Sequence, residues 1–429
     1  MRVKYLWRLD KSPYCIMAEP RSPSAGATGP GDIQNLDGKS TTDHPAFSDN
    51  DLKLGLFGPN ASYGASVTLA ERSFEPSIEH SIKVCKKADE IGMEMLVPLA
   101  RWKGLGGQTD FNGQQMEAFA WACAMAQHTD YAGVFATCHV PAMHPLYAAK
   151  IASTVDHASQ GRFALNIVSG WYQPEIEMFG TPQLEHDERY VKTHEWTELF
   201  KLFCTEQGFE YDGDFYTVEK DAEFADTMRG DTYVPGGYMR PKPIQDPYPP
   251  LMNAGSSDAG RNFASKHVDL GFIPLFDLDS TAETVANYKD RAEEHGRDRE
   301  AIEVMSQGLC CVGDTEAEAQ EKYDCIVDNA DLEATENLMD TIGVESGTFD
   351  PDELSGLQER FITGWGGYPV VGTPEQVADE LIAINDTGVS GMLLNFLNYY
   401  EELEEFEEKV LPLLEAESVR TERRGEPVD

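Results

Sequence analysis

Between residues 166 and 190 the chain collects side chains suited to holding a flat, polar ligand. Asn166 offers an amide, Ser169 a hydroxyl, Gly170 a stretch of bare backbone, and Trp171 an aromatic wall. Arg189 and Tyr190 follow, a cation and a phenol of the kind that grips a phosphate. A second group, NAGSSDAG (253–260), sets Gly255, Ser256 and Ser257 just ahead of a helix start near Asp258, where backbone N–H groups point at an anion. From that segment alone an ordinary Ser–Asp helix cap reads equally well. Neither group pairs a nucleophile with a base. There is no Walker loop, no HExxH or other metal spacing, and no GxGxxG around 160–162. His139 and His144 stand near the same pocket, but a single histidine more often has a structural role. Amides, hydroxyls and aromatics with a phosphate grip, and no acid/base pair for hydrolysis, suit a bound cofactor that carries the chemistry.

These groups need a scaffold that brings strand ends together. Residues 162–168 (RFALNIV) form an apolar run typical of a buried parallel strand, and ligands bind at the C-terminal ends of such strands. Similar runs occur at 52–58, 93–99, 132–138, 249–255, 268–276, 302–313 and 391–397, alternating with helical patterns. The rhythm predicts the α/β class and a single (β/α)8 TIM barrel over 51–418, with insertions after strands 4 and 7. Residues 1–50, rich in Pro, Gly, Ser and Asp, are expected to form a disordered or loosely packed leader, and 419–429 a tail. Within the first insertion, GFEYDGDFYTVEK reads as a hairpin. The second, 330–368, ends in ERFITGWGGYP and reads as a lid, its acidic part 328–352 as a solvated surface excursion. In VVGTPEQVADELIAI, Thr373 caps a helix with Pro374 at its first position.

The charge is extreme: 75 acidic against 34 basic residues, a net of −41. That repels phosphate backbones and anionic lipid, which argues against nucleic acid or membrane partners. The acids are spread along the chain rather than gathered in a tail. Such dispersal is expected of a halophile's cytoplasmic protein, because strong salt screens the self-repulsion. No apolar run reaches the length of a membrane span. The eight cysteines lack CxxC or His–Cys metal spacing, so they are expected to be reduced and largely buried, with no metal bound.

Four blocks in order, GRFALNIVSGW, HDERY, PYPPLMNAGSSDAG and VVGTPEQVADEL…GVSGMLLNFL, resemble the bacterial luciferase-like family of flavin-dependent oxidoreductases. The resemblance spans roughly 52–414 and is nearest to the branch of dimethyl sulfone, pyrimidine and alkanesulfonate monooxygenases. It implies a barrel that binds reduced FMN from a separate NAD(P)H-dependent flavin reductase. With O2, one oxygen atom then passes to a small organic substrate such as a sulfone, sulfonate or cyclic amide. It also implies a homo-oligomer. Carried over position by position, the flavin contacts are Ala100, Arg101, Thr137, Asn166, Glu175, Arg189, Tyr190 and Ser257, with Ser256 beside them. Thr137 and Asn166 are the pair expected at the reacting edge. Asn60, Trp102, Lys103, Trp171 and Asn395 are expected on the substrate side. Sulfonate enzymes of the family carry a His after strand one and a Cys after strand two; here Asn60 takes the first place and RWKGLGGQTDF lacks the second, which argues against a sulfonate. Two alternatives remain open: deazaflavin-dependent hydride transfer on the same barrel, and a flavin-binding protein without catalysis.

Overall fold

Eight parallel strands close into a barrel in the computed structural model, which describes residues 38–73, 76–219, 236–342 and 351–421. They are β1 (Lys53–Phe57), β2 (Met95–Val97), β3 (Gly133–His139), β4 (Phe163–Val168), β5 (Leu251–Asn253), β6 (Leu270–Phe272), β7 (Glu303–Val312) and β8 (Gly391–Asn395). Each pairs in parallel with the next, and β8 returns to β1. Both faces are buried, against the lumen inside and helices outside, which is why these segments read as continuous apolar runs.

The helices form the outer layer: α1 (Ile78–Glu90), α2 (Ala118–Ala126), α3 (Pro145–Ala158), α4 (His186–Thr205), α5 (Asp258–His267), α6 (Leu278–Glu294), α7 (Pro374–Asp386) and α8 (Tyr399–Lys409). Ser77, Ser257 and Asp277 each accept a first-turn N–H. Thr373 and Gln376 form a capping box ahead of α7, with Pro374 in its first turn as expected. Inside the barrel, Phe57, Met95, Val97, Phe135, Ala164, Met252, Leu270, Phe272, Met305 and Leu393 make an apolar inner core. Side chains alternate along a strand. Two residues further on, Thr137, Asn166, Gln307 and Asn395 therefore continue the inward rows, and the lumen turns polar at its C-terminal end.

The N-terminal end is sealed, and this corrects the expectation of a loose leader for residues 38–50. Strand Lys39–Ser40 pairs with Gln245–Asp246, and Ala46 joins the inner core. His44 is 1% exposed, with Nε2 3.1 Å from the Arg162 carbonyl and Nδ1 accepting the Ala46 N–H. Residues 1–37 lie outside the described residues. The expected tail is likewise anchored at its start: Val419 accepts the Leu52 N–H, and Arg420 is 4% exposed. Residues 422–429 lie outside the described set.

Between β4 and β5 a short helix, Gln173–Met178, precedes α4, and the expected hairpin forms from Tyr211–Asp212 and Thr217–Val218. Between β7 and β8 run helices Glu316–Asp328, Leu332–Thr341 and Pro351–Gly364, then strand Val370–Gly372 paired with the end of β7. The solvated reading of 328–352 is corrected over 331–341. Asp331 takes both the N–H and the hydroxyl of Thr109 at 2.7 Å, and Ala334, Leu338 and Met339 are buried against Leu105, Phe111 and Phe361. Tyr172 and Trp365 join that cluster, so the second insertion packs over the loops that follow β2 and β4. Residues 343–350 lie outside the described set.

Candidate active site

At the C-terminal rim, Thr137 on β3 lies in register with Asn166 on β4. The Thr137 hydroxyl donates to the Pro98 carbonyl at 2.8 Å, so its lone pair accepts the Asn166 Nδ2 at 3.2 Å. This fixes the amide: its nitrogen faces Thr137, and its Oδ1 is buried without a partner. A buried acceptor left unmet costs about 1–3 kcal/mol, so this oxygen marks a place where a donor belongs. One strand further, Asn253 Nδ2 donates to the Ile167 carbonyl at 2.7 Å and Oδ1 accepts the Gly255 N–H at 2.9 Å.

A cavity of about 100 Å³ on the Thr137 side is lined by Ala100, Arg101, Trp102, Thr137 and His139, and is bounded by Glu117 at the start of α2 and Met143 after β3. Arg101 is held from behind: Nη1 lies 3.2 Å from Glu175 Oε2, and the guanidinium stacks over Trp171 at 4.4 Å and Trp365 at 5.1 Å. Burial lowers its pKa in spite of that carboxylate. Glu175 also accepts the backbone N–H groups of Trp102 and Lys103. It is wholly buried. Among the expected flavin contacts, Glu175 is the one whose carboxylate is bonded to the 101–103 turn and to Arg101, which borders the pocket.

His139 Nδ1 sits 3.4 Å from the same carboxylate. Burial, with the Arg101 charge second, depresses its pKa to about 3, so the ring is neutral at ordinary pH. His144 takes the structural role, capping α3.

The phosphate-type group assembles at the next part of the rim. Arg189 Nη1 donates to the Gly170 carbonyl, and its Nε is buried and unpartnered, as is Ser169 Oγ. Tyr190 presses on the 253–260 loop: a Cβ at Gly255 would stand 2.5 Å from its hydroxyl, so only glycine fits. Ser257 caps α5 through the Gly260 N–H, so the positive end of that helix lies at this loop. Ser256 is exposed there.

The expected substrate contacts divide. Asn60 is fully buried, donates to the Leu99 and Met116 carbonyls and accepts the Leu99 N–H, which ties β1 to β2. Lys103 is exposed, and Trp102 is 47% exposed with its ring edge-on to Phe179. Trp171 lies under Arg101, and Asn395 faces the lumen from β8. Sequence reasoning missed Gln307 on β7 and Trp365 in the insertion. The available signal for Gln307 was a lone amide in an apolar run, two residues past Met305. Trp365 offered none beyond its aromatic neighbours.

The luciferase-like monooxygenase family model matches residues 53–391. The chain is 29% identical over 379 residues to the FMNH2-dependent dimethylsulfone monooxygenase of Pseudomonas putida, across 87% of this chain and 98% of that protein. It is 28% identical over 374 residues to a pyrimidine monooxygenase of Acinetobacter baylyi, covering 85% and 95%. Among solved structures, a riboflavin lyase with modified FMN superposes with a TM-score of 0.73 at 22% identity, over 88% of this chain and 94% of that one. That likeness shows the shared barrel. The match of the chain to the family model, from β1 to the first residue of β8, places the chain in the luciferase-like monooxygenase family.

Proposed function

We propose that this protein is a two-component monooxygenase that takes reduced FMN from a separate flavin reductase and, with O2, oxygenates a small organic substrate. The observation that carries the reading is the Thr137–Asn166 pair, with its buried, unpartnered acceptor at the C-terminal rim. The residues fit FMN. Asn166 offers an acceptor to an N–H on the edge of a ring, and Arg101 and Thr137 flank the adjoining cavity. Arg189, Ser169, Tyr190 and the Gly255–Ser257 loop offer donors and bare backbone to a phosphate. FMN, when bound, supplies oxygen activation and transfer of one oxygen atom.

The chain's own part is positioning and exclusion of water. Thr137 holds the Asn166 amide in one orientation. The apolar inner core, with Phe57 and Phe272 stacked at 5.9 Å, keeps water from the floor of the site. The neutral His139 imidazole adds no charge beside it. Among the described residues no cluster of three metal-ligating side chains occurs, and no helix is long and apolar enough to cross a membrane. The dispersed acidity supports a halophilic, cytoplasmic setting, and a homo-oligomer belongs to the same reading.

The test is an anaerobic fluorescence titration at multimolar salt with reduced FMN and, separately, a reduced deazaflavin. Tight binding of reduced FMN, followed by substrate-stimulated oxygen uptake, is expected. Preference for the deazaflavin would overturn the oxygenase reading in favour of hydride transfer. FMN binding without substrate-stimulated oxygen uptake would leave a flavin carrier.

A further inference from the structure

We infer that Trp365, carried in by the second insertion, is a positioning residue: it holds the Arg101 guanidinium at the cavity beside Thr137 and so ties the binding of reduced flavin to the seating of that insertion. The inference rests on the monooxygenase reading of the same site and adds a residue to it.

Arg101, which borders that cavity, sits in a corner of fixed walls. Its guanidinium carbon lies 4.4 Å from the centre of the Trp171 ring and 5.1 Å from that of Trp365. The two rings are 5.8 Å apart and inclined at 78°, so they form adjoining walls rather than opposite ones. Glu175 takes Nη1 at 3.2 Å on a further side. The Arg101 side chain is 6% exposed, and its Nε is a buried donor without a partner among the described residues. Trp171 and Glu175 both follow β4 in the chain. Trp365 comes from the other side of the barrel, between β7 and β8.

The backbone that delivers this ring is strained and firmly held. Trp365 has a φ of 57°, in the left-handed region that bulky residues avoid, and Gly366 continues there at 79°. Two amides of the barrel wall pin the turn. Gln307 Nε2 donates to the Gly364 carbonyl at 3.1 Å and to the Trp365 carbonyl at 3.4 Å, and Asn395 Nδ2 to the Thr363 carbonyl at 3.1 Å. The Gly366 N–H reaches back to the Arg360 carbonyl at 3.0 Å. Strain of this kind persists only where surrounding contacts over-determine it, and it gathers at functional sites. Packing alone does not account for an indole. Phe111 meets the ring at 6.1 Å, a contact that phenylalanine would serve, and the indole N–H is buried with no partner among the described residues. What an indole does better than a smaller ring is face a cation. Held from three sides, the guanidinium keeps one orientation and meets its ligand without first losing side-chain freedom. Its charge-assisted donors favour the reduced flavin ring, the more electron-rich form, over the oxidised one.

The experiment titrates the full chain at multimolar salt with reduced FMN, without oxygen, and separately with oxidised FMN. Trp365→Leu, Trp365→Phe, Arg101→Met and the double variants are compared once circular dichroism shows each to be folded. Trp365→Leu is expected to weaken reduced FMN about tenfold, and oxidised FMN clearly less, while Trp365→Phe, which keeps an aromatic face, is expected to lose about threefold. With Arg101→Met already present, either change at 365 should leave the affinity where Arg101→Met alone puts it, because nothing remains for the ring to position. Where Trp365→Leu fails to fold, the Trp365→Phe series decides by the same comparisons. Where the double variants fail, the contrast between reduced and oxidised flavin decides. Losses that add in the double variants, or that are equal for the two flavin forms, make Trp365 a packing residue and overturn the inference. So does native affinity in Trp365→Leu. Failure of the native chain to bind reduced FMN overturns the function proposed above instead.

Discussion

The two ends of the barrel differ in how far they satisfy their buried polar groups. At the N-terminal end, Glu94 is fully buried and saturated: it accepts from Asn50 Nδ2 at 2.6 Å, the Leu54 N–H at 2.7 Å and Arg420 Nη1 at 2.8 Å. Arg420 in turn donates to the Leu52 and Gly92 carbonyls. At the C-terminal end, the amide oxygens of Asn166, Gln307 and Asn395 are buried with no donor among the described residues. The floor holds one such group as well, since Gln245 Oε1 is buried there without a partner among the described residues, so the ends differ in how many unmet acceptors they gather. Such unmet groups are a recurrent mark of functional sites, where local consistency yields to ligand binding.

The sharpest way to break this contrast is at the closed end. Arg420→Ala leaves the Glu94 carboxylate buried beside an empty cation position, and removing one partner of a buried pair costs about 3–5 kcal/mol. Denaturant unfolding at fixed molar salt should show that loss, with FMN affinity of the folded protein unchanged. A variant as stable as the native chain would mean that the staple between tail and barrel is dispensable.

The open end should answer in the other currency. Asn166→Ala deletes an acceptor that has no protein partner, so its stability cost should stay within about 1 kcal/mol. Substrate-stimulated oxygen uptake should nevertheless fall about a hundredfold, the scale seen when one preorganised polar group is removed from a reacting centre. Full turnover would remove Asn166 from the reacting edge. A loss of stability as large as that of Arg420→Ala would make it a structural residue after all.

The sequence exposed the parts governed by local physics. Parallel strands buried on two faces read as apolar runs, so all eight were legible, as were the Thr373 cap and the 211–218 hairpin. What it concealed depends on distant pairing. Arg420 and Glu94 meet across more than three hundred residues, and nothing local to either marks the partner. The packing of 38–50 was hidden because its Pro, Ser and Asp content is that of a loop, yet His44 and Ala46 fill the barrel floor. Within the site, Asn166 and the 253–260 loop announced themselves as polar breaks at strand ends. Asn60 and Glu175 sat at equally suggestive positions but turn inward to hold backbone. Residue type and place along the chain do not reveal which way a polar side chain is satisfied.

A finer test compares the two ends through their histidines. His44 at the floor and His139 at the rim are both held near pKa 3, each chiefly by burial. An unfolded histidine takes up its proton near 6.5. Above that pH both states are neutral and the full stability is present. As the pH falls from 6.5 toward 3 the unfolded chain binds a proton that the folded one refuses, so each such histidine removes about 1.4 kcal/mol per pH unit. His44→Gln can keep a donor for the Arg162 carbonyl and an acceptor for the Ala46 N–H without titrating. Unfolding measured between pH 6.5 and 4.5 should show a slope shallower by about that amount, while FMN affinity over the same range keeps its native profile. His139→Gln should flatten the stability slope similarly, yet also change the pH profile of FMN binding, because its ring lines the cavity beside Thr137. If both variants alter only stability, His139 belongs with the floor rather than the site. If His44→Gln shifts the binding profile, the two ends of the barrel are coupled and the division between them fails.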